Sequence, residues 1–490
     1  MGVRRGCSGH PAQRGLRLPG ASLTLAAAAL AGCASGDETE ARSITERDSA
    51  AIRIVENAAP AWDADRGWRA APTPEVVIGA SSSSTEDGDE VSLYRVEGAR
   101  FLPDGGIVVA NAGTSEVMVF DTAGTLVRRF GGEGEGPGEL RSIVGIDVCG
   151  GDSIAVHSRL TLHVFERDGT FARRAQFRLG GQPVPVQGVS GSCGRALVQQ
   201  RTRMPAVGRQ GFTEDVFAWV DSFAEAVDTV ATTGLLEVWT RAFDGGARPW
   251  VIPWGTSGGT HATGNDRFVV GNGRVPELRH YDSGGGLQLI VRWLGQPRPV
   301  SASDRRRYSE RRMEFLAWAP ANEPETRLLF PALDEYPEVP THKPLFDRLL
   351  LDGRGGIWAR VFPEQSFGLF DTRLPGPMVF METWTVFDSA GVWLGDVTLP
   401  DRFELHDVDG DRLLGVARDA LDTETVQIFR IVGMQSGQAL TGGAAAGLLI
   451  VVAGFLRHPA RLWASALVFL AMVTIPIAYS YLVWRDVGEG

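Results

Sequence analysis

The chain is poor in the residues from which reactive and metal-binding sites are usually built. It has four cysteines and eight histidines in 490 residues. No HExxH, no CxxC pair and no serine nucleophile elbow between a strand and a helix occurs, so zincin, thiol-redox and α/β-hydrolase chemistry find no support. The glycine-rich run at 131–138 is followed by no Lys-Ser/Thr pair and opens no helix, which excludes a phosphate loop. A zinc or calcium centre needs several His or acidic side chains to converge. His163, His280 and His406 instead lie inside strand-like runs, so neither a metal nor a cofactor is expected. Excess positive charge is also missing. The formal balance is −11, which leaves no general pull on nucleic acid.

What is present is a line repeated with variations. It reads VMVFD at Val117–Asp121 and LHVFE at Leu162–Glu166. It returns as LRHYD at Leu278–Asp282 and WTVFD at Trp384–Asp388, with looser copies at 217–221 and 426–430. Each copy alternates its side chains and then turns at Asp or Gly, the pattern of a strand with its exit turn. An apolar–turn–apolar phrase precedes each line, as in Phe101–Ala110, and a further apolar stretch follows, as in Leu126–Phe130. Each unit is therefore a four-stranded antiparallel meander. Asp121 and Glu166 are 45 residues apart, the length of a propeller blade.

Six units are read, near 97–131, 143–178, 187–231, 259–294, 345–399 and 403–432. The expected fold is an all-β, six-bladed β-propeller over 51–433. The last unit has three strands of its own, and the N-terminal strand Ile52–Glu56 is expected to complete it and close the ring, leaving no free sheet edge. An open sandwich is the competing architecture, but sandwiches do not repeat a four-strand phrase. Two insertions interrupt the rhythm. One, 232–258, holds Trp239, Trp250 and Trp254. The other, 300–344, opens with a capping-box-like Ser301 and Asp304 and predicts a helix over about 300–320 with Tyr308 and Phe315 on its buried side. The helix is either a lid or a packing insert.

The ends are not part of that fold. Arg4, Arg5, Arg14 and Arg17 precede an apolar run, Leu23–Leu30. The following Leu30-Ala31-Gly32-Cys33 resembles the lipobox of bacterial lipoproteins, so 1–32 reads as a signal peptide, Cys33 as the lipidated residue and 33–50 as a tether. Near the other end, 439–484 holds two uncharged apolar stretches around Arg457, His458 and Arg461, which predicts two transmembrane helices with a cytoplasmic basic loop. Both flanks then face the periplasm. Ala34 after the lipidated cysteine points to the outer membrane, whereas a helical hairpin belongs to the inner membrane, the assignment favoured here. Of the remaining cysteines, Cys149 and Cys193 occupy matching turns of neighbouring units in an oxidising compartment. They are expected to form a disulfide, unless equivalent turns of adjacent blades lie too far apart to bond.

Three segments carry a resemblance. They are the Gly-Pro linker Phe130–Leu140, the opening Glu46–Asn57 and the closing Leu414–Asp419. Together they resemble the bacterial six-bladed β-propeller lipoproteins related to NHL-repeat proteins, over roughly 44–432. The resemblance implies an exported or lipid-anchored propeller and no particular activity.

Residues just after the second strand of each unit should gather on one face. They are Asn111, His157, Arg159, Arg201, Asn272, Arg274, Arg360 and Arg418. So many arginines around a concave mouth would suit a carboxylate or phosphate, since guanidinium forks onto two oxygens. The same arginines could instead bridge blades through acids such as Asp419 and Asp422, or pair with the linker acids Glu133, Glu135 and Glu139. The expected function is an envelope-anchored binding or scaffold module for an anionic ligand or an envelope protein, with the membrane as its other partner. A lactonase-like hydrolase or lyase and a structural subunit of an envelope complex are the alternatives.

Overall fold

The computed structural model describes residues 44–433, except 63–66, 80–90, 191–192, 222–226, 244–245, 257–259, 265–266, 319–329, 369–370 and 372–380. The expected signal peptide 1–32, the expected lipidation site Cys33 and the predicted membrane hairpin 439–484 lie outside the described residues. Among the described residues no helix is long and apolar enough to cross a membrane.

Six antiparallel meanders follow one another along the chain. Sheet 1 begins at Val96 and ends at Gly131, sheet 2 runs from Ile143 to Ala175, and sheet 3 from Val186 to Thr233. Sheet 4 runs from His261 to Trp293, sheet 5 from Phe346 to Thr398, and sheet 6 from Phe403 to Val432. The repeated Asp at the end of the third strand has a local cause. Asp121 Oδ1 accepts the backbone N–H groups of Ala123 and Thr125 at 2.9 and 2.8 Å, and Asp388 does the same for Ala390 and Val392. The carboxylate thus satisfies the turn that the following glycine completes.

The sheets pack face to face in a closed circuit. One apolar cluster joins sheets 1 and 2 through Val108, Val117, Ile146 and Phe165. Others join 2 to 3, 3 to 4, 4 to 5 and 5 to 6. The circuit closes where Leu414, Val416, Val426 and Ile428 of sheet 6 pack on Val109, Met118 and Phe120 of sheet 1. The first strand of each sheet neighbours the first strand of the next, and that of sheet 6 neighbours that of sheet 1. The approach is close. A Cβ at Gly98 would sit 2.8 Å from Ile146 Cγ2, so only glycine fits there. This is propeller-type packing of small sheets around an inner ring of strands.

The closing strand differs from expectation. Ile52–Asn57 runs parallel to Leu287–Trp293 on the outside of sheet 4, with Ile44–Ser49, read as tether, paired beyond it. Sheet 6 is completed instead by Val76–Ile78 and Arg69–Ala70, both antiparallel to Glu424–Val432. Side-chain fit explains the choice. Val55 is fully buried between sheets 4 and 5. Asn57 donates to Arg292 O and Gly391 O, both at 3.0 Å, and accepts from Trp393 N at 2.9 Å.

Tight turns join first to second and third to fourth strands on one face, the turn face. The opposite, loop face carries the long connections. Those of sheets 3, 4 and 5 merge into one cap. Gln210–Phe212, Glu237–Phe243 and Gly246–Val251 form a small sheet against helix α1, Ala302–Trp318. Trp254, Tyr308, Phe315, Phe330 and Phe367 are buried together there. Ser301 Oγ accepts from Asp304 N at 3.1 Å while Asp304 Oδ2 accepts from Ser301 N at 2.9 Å, the reciprocal cap the sequence implied. The chain's single lysine, Lys343, is 3% exposed and ties the cap down, donating to Asp304 Oδ1 at 2.9 Å and to Glu364 O at 2.7 Å. Burial would raise the Asp304 carboxyl, but Lys343 and Ser301 hold it at about 2. With its aromatic side so fully packed, α1 is a packing insert rather than a lid.

Candidate functional site

The loop-face ends of the second strands hold the arginines singled out in the sequence, and the structure separates them into two kinds. In sheet 5, Arg360 Nε and Nη2 donate to the two oxygens of Asp347 at 2.8 and 3.1 Å, and Nη1 donates to Glu382 Oε1 at 2.7 Å. Glu382 Oε2 in turn accepts from Leu405 N of sheet 6 at 3.2 Å. In sheet 6, Arg418 donates to Glu424 Oε1 at 3.1 and 2.8 Å and to Glu404 Oε2 at 3.2 Å. Glu424 Oε2 accepts from Val96 N of sheet 1 at 2.8 Å. Each unit is thus a latch: guanidinium, carboxylate, then the backbone of the next sheet. Arg348 of sheet 5 adds a 2.9 Å bond to Glu404 Oε1.

The electrostatics follow from burial. Desolvation alone would lower Arg360, yet Asp347 and Glu382 carry it above the ordinary arginine value. Desolvation would raise Glu404, but Arg348, with Arg418 behind it, holds it well below the carboxylate range. Arg201 of sheet 3 places Nε 3.1 Å from Oδ1 of the fully buried Asp215. Arg274 of sheet 4 grips Glu237 Oε2 and donates to His342 O at 2.7 Å and Trp254 O at 2.9 Å. These four arginines are tied to partners within the fold and form no free cationic mouth.

The remaining candidates split the same way. Asn111 is buried, accepts from Tyr94 N at 2.8 Å and donates to Ser92 O at 3.1 Å and Thr114 Oγ1 at 2.9 Å, which holds the entry to sheet 1. His157 Nε2 lies 3.0 Å from Asp147 Oδ2, and Arg100 reaches the other oxygen of Asp147 at 3.4 Å. Asn272 Oδ1 caps the turn that presents Arg274, accepting its N–H at 3.0 Å. Arg159 alone among the eight is an exposed arginine that makes no ion pair among the described residues.

Arg159 stands in a depression of about 830 Å³ on the loop face of sheet 2. Arg141 and Arg174 flank it, Val144 and Leu160 expose apolar surface (51% and 41%), and Pro185 closes the far side. The sequence reading missed Arg141, Arg174 and Val144. The available signal was position two of the first strands, Glu97, Asp347 and Glu404 in sheets 1, 5 and 6, which is Val144 in sheet 2. The linker acids behave differently from expectation. Glu135 pairs with Arg141 at 2.6 Å and Glu139 accepts from Gly136 N at 2.7 Å, so neither serves the arginine candidates. Asp419 caps its own turn, and Asp422 stays 3.9 Å from Arg418.

The structure bonds Cys149 to Cys193, their Cα atoms 5.5 Å apart, across sheets 2 and 3. Adjacent turns here are close enough because both lie where the inner strands converge. Among the described residues no group of three His, Cys, Asp or Glu side chains is placed to hold a metal ion.

No family model and no curated protein matches the chain. Solved structures similar to it include a DUF4221 family member from Bacteroides vulgatus, at 11% identity and TM-score 0.43, covering 75% of this chain and 99% of that one. A gluconolactonase from Xanthomonas campestris is 12% identical at TM-score 0.37, covering 74% and 96%. A calcium-binding protein, regucalcin, from Agrobacterium tumefaciens is 11% identical at TM-score 0.30, covering 73% and 96%. Likeness at this level carries no conclusion about what the chain binds or does.

Proposed function

We propose that the chain is a six-bladed β-propeller held on the outer side of a bacterial membrane, where it acts as a binding or scaffold module through its loop face. Cys33 and the hairpin 439–484 are its anchors in this reading, and the compartment is the periplasm. The described chain leaves sheet 6 at Gly433 on the turn face. A membrane hairpin starting at Ala439 therefore turns that face to the bilayer and the loop face away from it.

One observation carries the assignment. Of the thirteen large apolar side chains that are exposed among the described residues, only Val77 and Val127 lie off the loop face. The other eleven, Leu421 (87%), Leu294 (68%) and Met381 (58%) among them, belong to its connections and strand ends. Scattered apolar exposure needs no explanation, but concentration on one face marks a contact surface. The latches explain why the arginines at the ring are not catalytic in this reading: their charge is spent on holding the sheets together.

The test is capture in mild detergent from the native membrane. Leu421→Asp with Met381→Asp should abolish co-purification of a partner, and Val127→Asp on the turn face should leave it intact. Equal capture by both variants would remove the loop-face assignment.

A further inference from the structure

We propose that the depression on sheet 2 is a docking groove for an acidic, extended polypeptide segment of an envelope protein; the inference rests on the reading of the loop face as the binding surface. The groove crosses the whole edge of the sheet. Val144 comes from the first strand, Ser158 from the second, Thr161 from the third and Arg174 from the fourth. Four strands about 4.8 Å apart span roughly 15 Å, the length of four or five residues of extended chain. A single carboxylate on a small molecule would occupy a fraction of the 830 Å³.

Its chemistry selects acid. Arg159 and Arg174 are exposed and make no ion pair among the described residues. Arg141 is held only by the solvent-exposed Glu135, a pair of little worth that a better-placed carboxylate can replace. In a chain of net charge −11, three adjacent arginines without buried acids are a local reversal of sign. Ser158, 6% exposed, lines the floor between them. Val144, Leu160 and Pro185 provide apolar surface between the cations. The occupant is therefore a segment that alternates carboxylates with apolar side chains, as an extended chain presents them to one surface and then the other. A lipid surface is disfavoured, because Gly433 leaves from the opposite face.

The probe is a short fluorescent peptide alternating glutamate with leucine, titrated by anisotropy against the full-length protein in detergent. The control peptide carries glutamine for glutamate. The acidic peptide should bind and weaken as salt rises. Arg159→Glu with Arg174→Glu should lower its affinity at least about tenfold, the size expected when a complementary charge pair is reversed. Leu160→Ser should lower it several-fold. Both positions are exposed, so melting should be unchanged, and a variant that does not fold is replaced by Arg159→Gln. Absence of binding to the wild type, equal binding of the glutamine peptide, or full affinity in the charge-reversed variant overturns the proposal. So does variant-sensitive binding of anionic vesicles, which would assign the groove to lipid headgroups, or variant-sensitive self-association. The loop-face reading fails separately, through Leu421 and Met381, which lie outside this groove.

Discussion

Sheets 5, 6 and 1 are joined by ions, and sheets 2 and 3 by a covalent bond. In the first sector Arg360, Arg418 and Arg348 bind Asp347, Glu382, Glu404 and Glu424, and two of those acids also take backbone N–H groups of the next sheet. In the second sector the Cys149–Cys193 disulfide spans the same kind of boundary, and Arg159 is left exposed. The difference teaches that an acid within reach decides an arginine's role, whether it comes from a first strand (Asp347, Glu404), a third strand (Asp215) or the cap (Glu237). Where the second residue of the first strand is Asp347 or Glu404, the guanidinium is drawn inward and becomes a strut. Where it is Val144, nothing competes with solvent, and the charge stays available for a ligand.

The sharpest way to break this comparison is to remove one strut. Arg360→Ala removes the guanidinium that binds both Asp347 and Glu382 in a buried site. Removing one partner of a buried pair costs about 3–5 kcal/mol. Arg159→Ala removes an exposed arginine and should change stability by less than about 0.5 kcal/mol. Urea or thermal unfolding of the two variants side by side decides it. Similar losses in both would show that sheet 2 also depends on its arginine, and the distinction between strut and site would be gone.

Much of this was legible because it is local. The VFD line, the Asp that caps its own turn and the capping box at Ser301 are all written within a few residues, and each forms as read. The closing strand was not legible. Ile52–Asn57 and Val76–Ile78 are equally good short apolar strands, and nothing local says that the first runs beside sheet 4 while the second completes sheet 6. The arginine positions were readable, but their partners come from other strands and other sheets, so strut and site look alike in one dimension. The tryptophans of 232–258 and the helix of 300–320 were each visible. Their fusion into one aromatic cap depends on both insertions leaving by the same face.

A second intervention acts on the covalent sector. The disulfide closes a loop of 44 residues, for which the chain-entropy account gives about 4 kcal/mol and typical measurements about 2–4 kcal/mol. Cys149→Ser with Cys193→Ser, or reduction of the wild type, should lower the unfolding midpoint by a matching amount. Combined with Arg360→Ala, the losses should add, because the two sites share no partner. Marked non-additivity would mean that the sectors open as one cooperative body rather than through separate boundaries.

The mildest probe is pH, which acts through the buried histidines: His406 in the ionic sector is shifted furthest, while burial also lowers His163 in sheet 2. His406 lies in the first strand of sheet 6, its Nε2 3.8 Å from Glu404 Oε1. Burial is the main cause that drives its pKa down to about 3, and Arg348, Arg100 and Arg418 add to it against Glu404. His280 in sheet 4 is lowered to about 4, chiefly by burial and then by Arg267. Both are therefore neutral in the fold, while in the unfolded chain they take up a proton below about pH 6.5. The unfolded state then binds more protons, so stability is full above pH 6.5 and falls as the pH drops toward about 4. Each histidine contributes a slope of at most about 1.4 kcal/mol per pH unit. His406→Gln should flatten the curve in that window by about one histidine's share. The carboxylates held down by arginine, Glu404 first among them, lose their contribution as the pH falls through the ordinary carboxylate value of about 4.3 and below it. Thermal melts of wild type and His406→Gln from pH 7 to pH 4 separate the two windows. An unchanged slope would mean that His406 reaches solvent and that the ionic sector is open at its inner strand.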